Sequence, residues 1–467
     1  MEDKMEYTQE QITELKDSIL FKKKNVYEAL DEAELAKMED FCKGYVKYLD
    51  ASKTEREAVN EGIALAKAKG FREYHFGDDV KAGDKFYFNN RGKELLLFII
   101  GSENIENGIR ISAAHVDSPR IDLKQHPLYE DAGMAFFKTH YYGGIKKYQW
   151  TATPLAIHGT VMKKDGSVID IVVGEDDTDP VFYIDDLLPH LARGQASRPL
   201  GEAIQGEQLN ILIGSKPLNG DGEIKLAIMK LLNEKYGIVE ADFISAELSM
   251  VPAFKARDIG FDRSLIGGYG HDDRVCAYPA IAAILEKENP THTLMAILAD
   301  KEETGSGGAT GMKCYVFLDI IASLAKSLGA NEYAVRYNSK CLSADVNAAF
   351  DPNFGDVYEP RNSSYINRGV VMTKYTGSGG KNGTSDATAE FVGYVRNMFD
   401  KAGIVWQTGE LGKVDCGGGG TVAVYIAEKN IDVVDLGVPV LSMHAPYEVI
   451  AKADLYMAYK AFSVFCD

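Results

Sequence analysis

Short apolar runs of strand length, each ended by a polar residue or glycine, constrain this chain more than any other feature. They fall at residues 94–100, 108–114, 294–299 and 438–442. A run that is apolar at every position, rather than at alternate ones, suits a strand buried on both faces. Between the runs lie helical stretches such as 275–288 and 310–328. Strands alternating with helices favour an α/β fold, here a mixed central sheet flanked by helices. Residues 8–70 read as charged amphipathic helices, with Ser52-Lys53-Thr54-Glu55 in a capping-box pattern before a helix that runs towards Gly70.

From about residue 126 to 240 the texture changes. Hairpin-like segments at 160–163 and 166–173, a polar run at 174–180 and Gly/Pro/Asn turns at 217–222 read as an inserted, mostly β domain. The expected organisation is a discontinuous domain, 1–125 with 241–467, interrupted by the insertion 126–240. At 467 residues, 45% hydrophobic and 26% charged, the chain can bury a substantial core in two or three structural units. Its formal charge of -18, from 51 basic and 69 acidic residues, comes without any dense Lys/Arg run. Such a surface is unsuited to phosphates or anionic lipid, so no nucleic acid and no membrane partner is expected. No window approaches the roughly 20 apolar residues that span a bilayer. The cysteines (Cys42, Cys276, Cys314, Cys341, Cys416, Cys466) show no C-x-x-C spacing, and Met1-Glu2-Asp3 opens no signal pattern. Reduced thiols and a cytoplasmic location are expected.

The chemistry-bearing residues are placed by those runs. His115, the cluster from Asp300 to Glu303, Asp345 and His444 each fall just past the carboxyl end of an apolar, strand-like run. In an open α/β sheet that edge is where ligands bind. Each motif alone is weak: His115-Val116-Asp117 is more often a structural pair, and Asp272-Asp273 or Glu302-Glu303 more often solvated loop carboxylates. At a strand end, however, adjacent carboxylates permit a division of labour, one ligating metal while its neighbour takes a proton from water. Two divalent ions about 3.5–4 Å apart need a bridging carboxylate plus imidazole and carboxylate ligands that leave positions open. Two His, two Asp and one Glu meet that count if Asp272 is shared: His115, Asp272 and Asp345 on one ion, Asp272, Glu303 and His444 on the other. Zinc, manganese and cobalt all suit such mixed ligands.

These strings in this order resemble the aspartyl-aminopeptidase and vacuolar-aminopeptidase family of co-catalytic zinc metallopeptidases. The likeness rests on Ser112-Ala113-Ala114-His115-Val116-Asp117-Ser118-Pro119-Arg120, Asp272-Asp273-Arg274, Glu302-Glu303-Thr304-Gly305-Ser306, Ser343-Ala344-Asp345 and Ser442-Met443-His444. The resemblance implies a metal-dependent aminopeptidase that removes N-terminal residues from peptides with a free N-terminus. It makes His115 a ligand and Asp117 its orienter, Asp272 rather than Asp273 the bridge, Glu302 the general base, and Glu303, Asp345 and His444 the remaining ligands. It also makes the insertion a dimerisation domain, and implies a closed homododecamer built from dimers. In that domain Pro189-His190-Leu191 stands where the family has a histidine reaching the neighbouring subunit's site, against the plainer reading of a histidine at a turn. Lys374 resembles a family lysine near the substrate, against the plainer reading of a surface lysine. Gly417-Gly418-Gly419-Gly420 lacks the Lys-Ser/Thr of a phosphate loop and reads instead as close backbone approach beside the metal site. His271 reads as support for a ligand or as purely local.

The chain departs from the family around the substrate. It reads Tyr148-Gln149-Trp150-Thr151-Ala152-Thr153-Pro154 where an aromatic and Asp-Arg string is usual, Asn347-Ala348-Ala349-Phe350 without the usual histidines, and Ala445-Pro446-Tyr447-Glu448 in place of a more basic string. The resemblance therefore leaves the preferred N-terminal residue open. A metal-dependent dipeptidase or N-acyl amino acid deacylase would use the same ligands. A non-catalytic assembly protein would have lost some.

Overall fold

The computed structural model describes residues 7–220 and 222–467; the Met1-Glu2-Asp3 start and one position of the 217–222 turn lie outside the described residues. A nine-stranded central sheet runs in the order Arg72–Glu73, Lys85–Asn90, Glu94–Ile99, Leu294–Ala299, Arg110–His115, Lys340–Ser343, Asp432–Gly437, Val370–Thr373, Trp406–Thr408. Its four middle strands, from Leu294–Ala299 to Asp432–Gly437, are parallel. Glu94–Ile99 and Val370–Thr373 run antiparallel to the neighbours that flank this group, which makes the sheet mixed.

The unbroken apolar runs follow from cores on both faces. In Glu94–Ile99, Leu95, Leu97 and Ile99 enter one core with Leu49, Val59, Ile281 and Phe462. Leu96 and Phe98 enter the other with Phe317, Ile320 and Leu324. The helices Glu32–Ala51, Glu55–Ala68, His271–Leu285 and Lys452–Phe465 therefore cover one face, and Val316–Ser327 covers the other. Each fully buried Leu, Ile or Phe contributes about 1.5–3 kcal/mol. The sheet is thus a rigid platform, and whatever stands at its edge is held in place.

Residues 120–252 form a second, seven-stranded sheet whose registered pairs are all antiparallel. It has its own core, including Ile121, Phe137, Trp150, Phe243 and Met250. A third sheet of five short strands runs in the order Arg257–Ile259, Leu265–Gly268, Glu448–Ala451, Pro439–Leu441, Asn347–Ala348, its strands interleaved in the chain with those of the central sheet.

Two local expectations shift. The apolar run at 438–442 is not a strand of the central sheet: Asp432–Gly437 takes that place, and Pro439–Leu441 pairs in the five-stranded sheet. Pro439 has no N–H to offer a central ladder. At Gly437 a Cβ would stand 1.7 Å from the Asp345 carbonyl oxygen, so the chain passes there only as glycine. The capping box also falls two residues later than Ser52: Thr54 caps the helix and Glu57 closes the box.

Candidate metal centre

Three of the chemistry-bearing segments leave the same edge of the central sheet. His115 ends its strand, Glu302 and Glu303 open the turn after Leu294–Ala299, and Asp345 stands two residues past Lys340–Ser343. The five-stranded sheet supplies the other two. Asp272 follows Leu265–Gly268 at the head of the helix His271–Leu285, and His444 follows Pro439–Leu441. Ser442 and His444 both take left-handed backbone, at φ 60° and 65°. For residues other than glycine that conformation is strained, and it persists where the surroundings hold it.

The side chains converge. His115 Nε2 lies 3.2 Å from Asp272 Oδ1 and 3.8 Å from Asp345 Oδ1. His444 Nε2 lies 3.2 Å from Asp272 Oδ2 and 3.5 Å from Glu303 Oε2. Donor atoms of His115, Asp272 and Asp345 lie within 4.8 Å of one another, and so do those of Asp272, Glu303 and His444. Glu302 joins His115 and Glu303 in a third such group. Asp273 is turned away, its Oδ2 accepting from the His115 backbone N–H at 3.3 Å.

This donor set fits metal. His115 Nε2, Asp272 Oδ1 and Glu303 Oε1 are buried and have no hydrogen-bond partner among the described residues. Buried polar atoms are rarely left so. Donors about 2.0–2.1 Å from a tetrahedral zinc ion stand about 3.3 Å apart, close to the observed separations. Burial and the neighbouring Asp345 carboxylate push Glu302 up to about 8. Burial lowers the His444 ring, but the Asp272 and Glu303 carboxylates outweigh it and hold it at about 10. Both shifts describe a site with more negative charge than it can balance.

A surrounding layer sets the orientation. Asp117 accepts the backbone N–H of Glu302 at 3.1 Å, that of Glu303 at 3.2 Å and the Tyr142 hydroxyl at 2.8 Å. Its Oδ1 also lies 3.2 Å from His115 Nδ1. One buried carboxylate thus fixes an imidazole and the adjacent glutamate pair together. Glu448, named in the sequence only as a departure from the family, does the same on the other side: it accepts from the Asp272 N–H at 3.1 Å and the His444 N–H at 2.7 Å. The Gly144 carbonyl accepts from His444 Nδ1 at 2.8 Å. A Cβ on Gly144 would stand 3.2 Å from that nitrogen, and one on Gly143 3.3 Å from Glu303 Oε2. Sequence reasoning passed over Glu448, Tyr142 and Gly143-Gly144, because their partners lie far away in the chain.

Not every residue singled out by sequence joins the cluster. His190 is exposed in a turn, and its side chain has no hydrogen-bond partner among the described residues. Lys374 pairs with Asp386 at 2.6 Å and is 44% exposed. His271 Nδ1 faces the Tyr45 hydroxyl at 2.7 Å, behind the site. The glycines Gly417 to Gly420 do reach it: with Asp272, Glu302, Asp345 and His444 they line a cleft of about 300 Å³. A Cβ on Gly417 would stand 2.0 Å from the Leu411 carbonyl, so the close approach needs glycine.

A mixed α/β platform whose parallel strand ends, joined by turns of a second sheet, gather two imidazoles and four carboxylates in one cluster is an architecture that suits a metallopeptidase. Residues 48–466 match the model of the M18 family, the aminopeptidase I zinc metalloproteases. The chain is 50% identical over 456 residues to a probable M18 family aminopeptidase 1 of Clostridium acetobutylicum, covering 95% of this chain and 98% of that one. It superposes on an M18 aminopeptidase of Thermotoga maritima with a TM-score of 0.91 at 42% identity, covering 96% and 99% of the two chains. At 22% identity and a TM-score of 0.75 it shares its fold with the S. cerevisiae mApe1 dodecamer, covering 91% and 96% of the two chains. The chain belongs to the M18 family of zinc metallopeptidases, and it is an aminopeptidase.

Proposed function

We propose that His115, Asp272 and Asp345 hold one divalent ion, that Asp272, Glu303 and His444 hold a second, and that Glu302 is the general base of peptide hydrolysis. The observation that carries this is the Asp272 carboxylate, whose two oxygens face different imidazoles at 3.2 Å each. Asp272, Glu302, Glu303 and Asp345 together carry four negative charges when ionised, which two divalent cations balance. Zinc is the metal that the family favours; manganese or cobalt would suit the same ligands. When bound, the ions acidify water and polarise the scissile carbonyl.

The rest falls to the chain. Glu302, half-buried and reachable from the cleft, takes the proton of the attacking water and returns it to the departing amine. Asp117 holds the backbone of both glutamates, so the base and its neighbouring ligand cannot drift apart. Glu448 ties Asp272 to His444. A peptide enters with its free N-terminus at the closed, cluster-lined end of the cleft, and the remainder of the peptide points outward. The six unpaired cysteines suit a reducing, cytoplasmic compartment. The test compares a free aminoacyl amide with its N-acetylated form on metal-loaded protein. The free amine should be cleaved and the acetylated form left intact. Preferential hydrolysis of the acyl group would make the protein a deacylase.

The active form in this reading is a homododecamer built from dimers, with His190 of one subunit completing its neighbour's site. His190 is exposed outside its own cluster, and its chain neighbours Leu187, Leu188 and Leu191 are exposed as well, apolar side chains suited to burial against a second copy. A histidine N–H about 2.7–3.1 Å from the developing oxyanion would stabilise it, and loss of one such donor typically costs about 100- to 1,000-fold in turnover. His190→Ala should fall by that much with its metal content unchanged. Mixing His190→Ala with Glu302→Gln subunits should then restore activity in dimers that unite an intact centre with an intact donor. Absence of recovery after confirmed subunit exchange would remove His190 from the neighbour's site.

A further inference from the structure

Behind Asp117 lies a second layer of buried charge. Arg120 opens the strand Arg120–Asp131, Tyr142 closes the strand Met134–Tyr142, and the two are register partners across that hairpin. The Arg120 guanidinium lies over the Tyr142 ring, 4.0 Å from its centre. Its Nη1 donates to Glu55 at 3.0 Å and its Nε to Asp122 at 2.8 Å. Glu55, the first residue of the helix Glu55–Ala68, is buried, as is Arg120, and its other oxygen faces Lys93 Nζ at 2.9 Å. The cation is thus fixed by two carboxylates and in turn covers the ring.

The ring is where this layer meets the metal centre. The Tyr142 hydroxyl donates to Asp117 Oδ2 at 2.8 Å, the same oxygen that accepts the Glu303 N–H, while Oδ1 accepts the Glu302 N–H. A tyrosine turns about two side-chain bonds, so its hydroxyl goes where its ring goes. Arg120 settles the ring, the hydroxyl settles the Asp117 carboxylate, and the carboxylate settles the turn that carries Glu302 and Glu303. Stability does not require these charges: a buried ion pair exchanged as a whole for apolar side chains is often neutral, whereas the loss of one partner alone is costly. What the pair supplies at this place is orientation.

We infer that Arg120, anchored by Glu55, is a positioning residue for peptide hydrolysis and that it acts through the Tyr142 hydroxyl on Asp117. The inference rests on the reading of Glu302 as base and Glu303 as ligand, because theirs are the backbone groups that Asp117 holds. Neither Arg120 nor Tyr142 is among the described residues that line the cleft, so both act on turnover rather than on substrate binding.

The test is a cycle of variants of the metal-loaded protein, assayed for kcat, KM and bound metal on a free aminoacyl amide. Tyr142→Phe should lose about 10- to 100-fold in kcat, the usual effect of removing an outer partner of a metal site, with KM little changed. Glu55→Gln made together with Arg120→Met removes both charges at once, while Lys93 keeps Glu247 and Asp122 keeps the Ser249 hydroxyl. This double variant should also lose kcat, and adding it to Tyr142→Phe should cost no more than about twofold further, because the pair acts only through the hydroxyl. A pair with a purely structural role would lower kcat by one factor in both backgrounds, as independent changes do. That result overturns the inference, as does full kcat in either Tyr142→Phe or the double variant. If the double variant does not fold, Arg120→Lys decides, since it keeps a cation for Glu55 and gives up the planar group over the ring. It should lose kcat beside Tyr142 and not beside Phe, and full kcat in Arg120→Lys overturns the inference. Full turnover in Glu302→Gln would instead overturn the base assignment, and this inference with it.

Discussion

Glu302→Gln is expected to keep both metal ions and to lose about 100- to 10,000-fold in turnover, the usual contribution of a general base. The two glutamates are neighbours in the chain but face different groups. Glu303 Oε2 lies 3.5 Å from His444 Nε2, within the donor group that contains Asp272. Glu302 meets the cluster only through the group of His115 and Glu303, and it lines the cleft, where water and substrate arrive. Glutamine in place of Glu302 preserves shape and the backbone bond to Asp117 at 3.1 Å, and removes only the ability to take a proton. Glu303→Gln should behave differently, losing metal as well as activity. Metal analysis of the two variants beside their rates separates the roles. Equal metal loss in both would show that the division of labour is wrong.

Much of the site was legible because strand ends are legible. His115, Glu303 and Asp345 follow short, mostly apolar runs, unbroken only in Leu294–Ala299, and such runs mark strands with cores on both faces. Parallel strands then bring their carboxyl ends to one edge without further instruction. Asp272 needed the family pattern to separate it from Asp273, since two adjacent aspartates look alike until the backbone decides which carboxylate faces the imidazoles. His444 was read from a similar apolar run, yet that run belongs to the five-stranded sheet, because Gly437 and Pro439 break the segment in two. Periodicity cannot show which sheet a strand joins.

The supporting residues were not legible at all. Glu448 bonds a backbone N–H that is 176 residues earlier, and Gly144 bonds a ring 300 residues later. No local rule distinguishes such a glutamate or glycine from any other, and only the assembled fold supplies the partner. The capping box erred by two residues for a simpler reason: Ser52 and Thr54 are both good caps, but Ser52 closes the preceding helix and Thr54 opens the next.

The central claim, that five side chains hold two ions without which no peptide is cleaved, is tested most directly by removing and restoring metal. Protein stripped by a chelator and confirmed metal-free by mass spectrometry should have lost activity on a free aminoacyl amide, with its helix content retained. Stepwise return of zinc should restore turnover and saturate at two ions per subunit, and manganese or cobalt should substitute. Full turnover in protein confirmed to be metal-free would contradict the account.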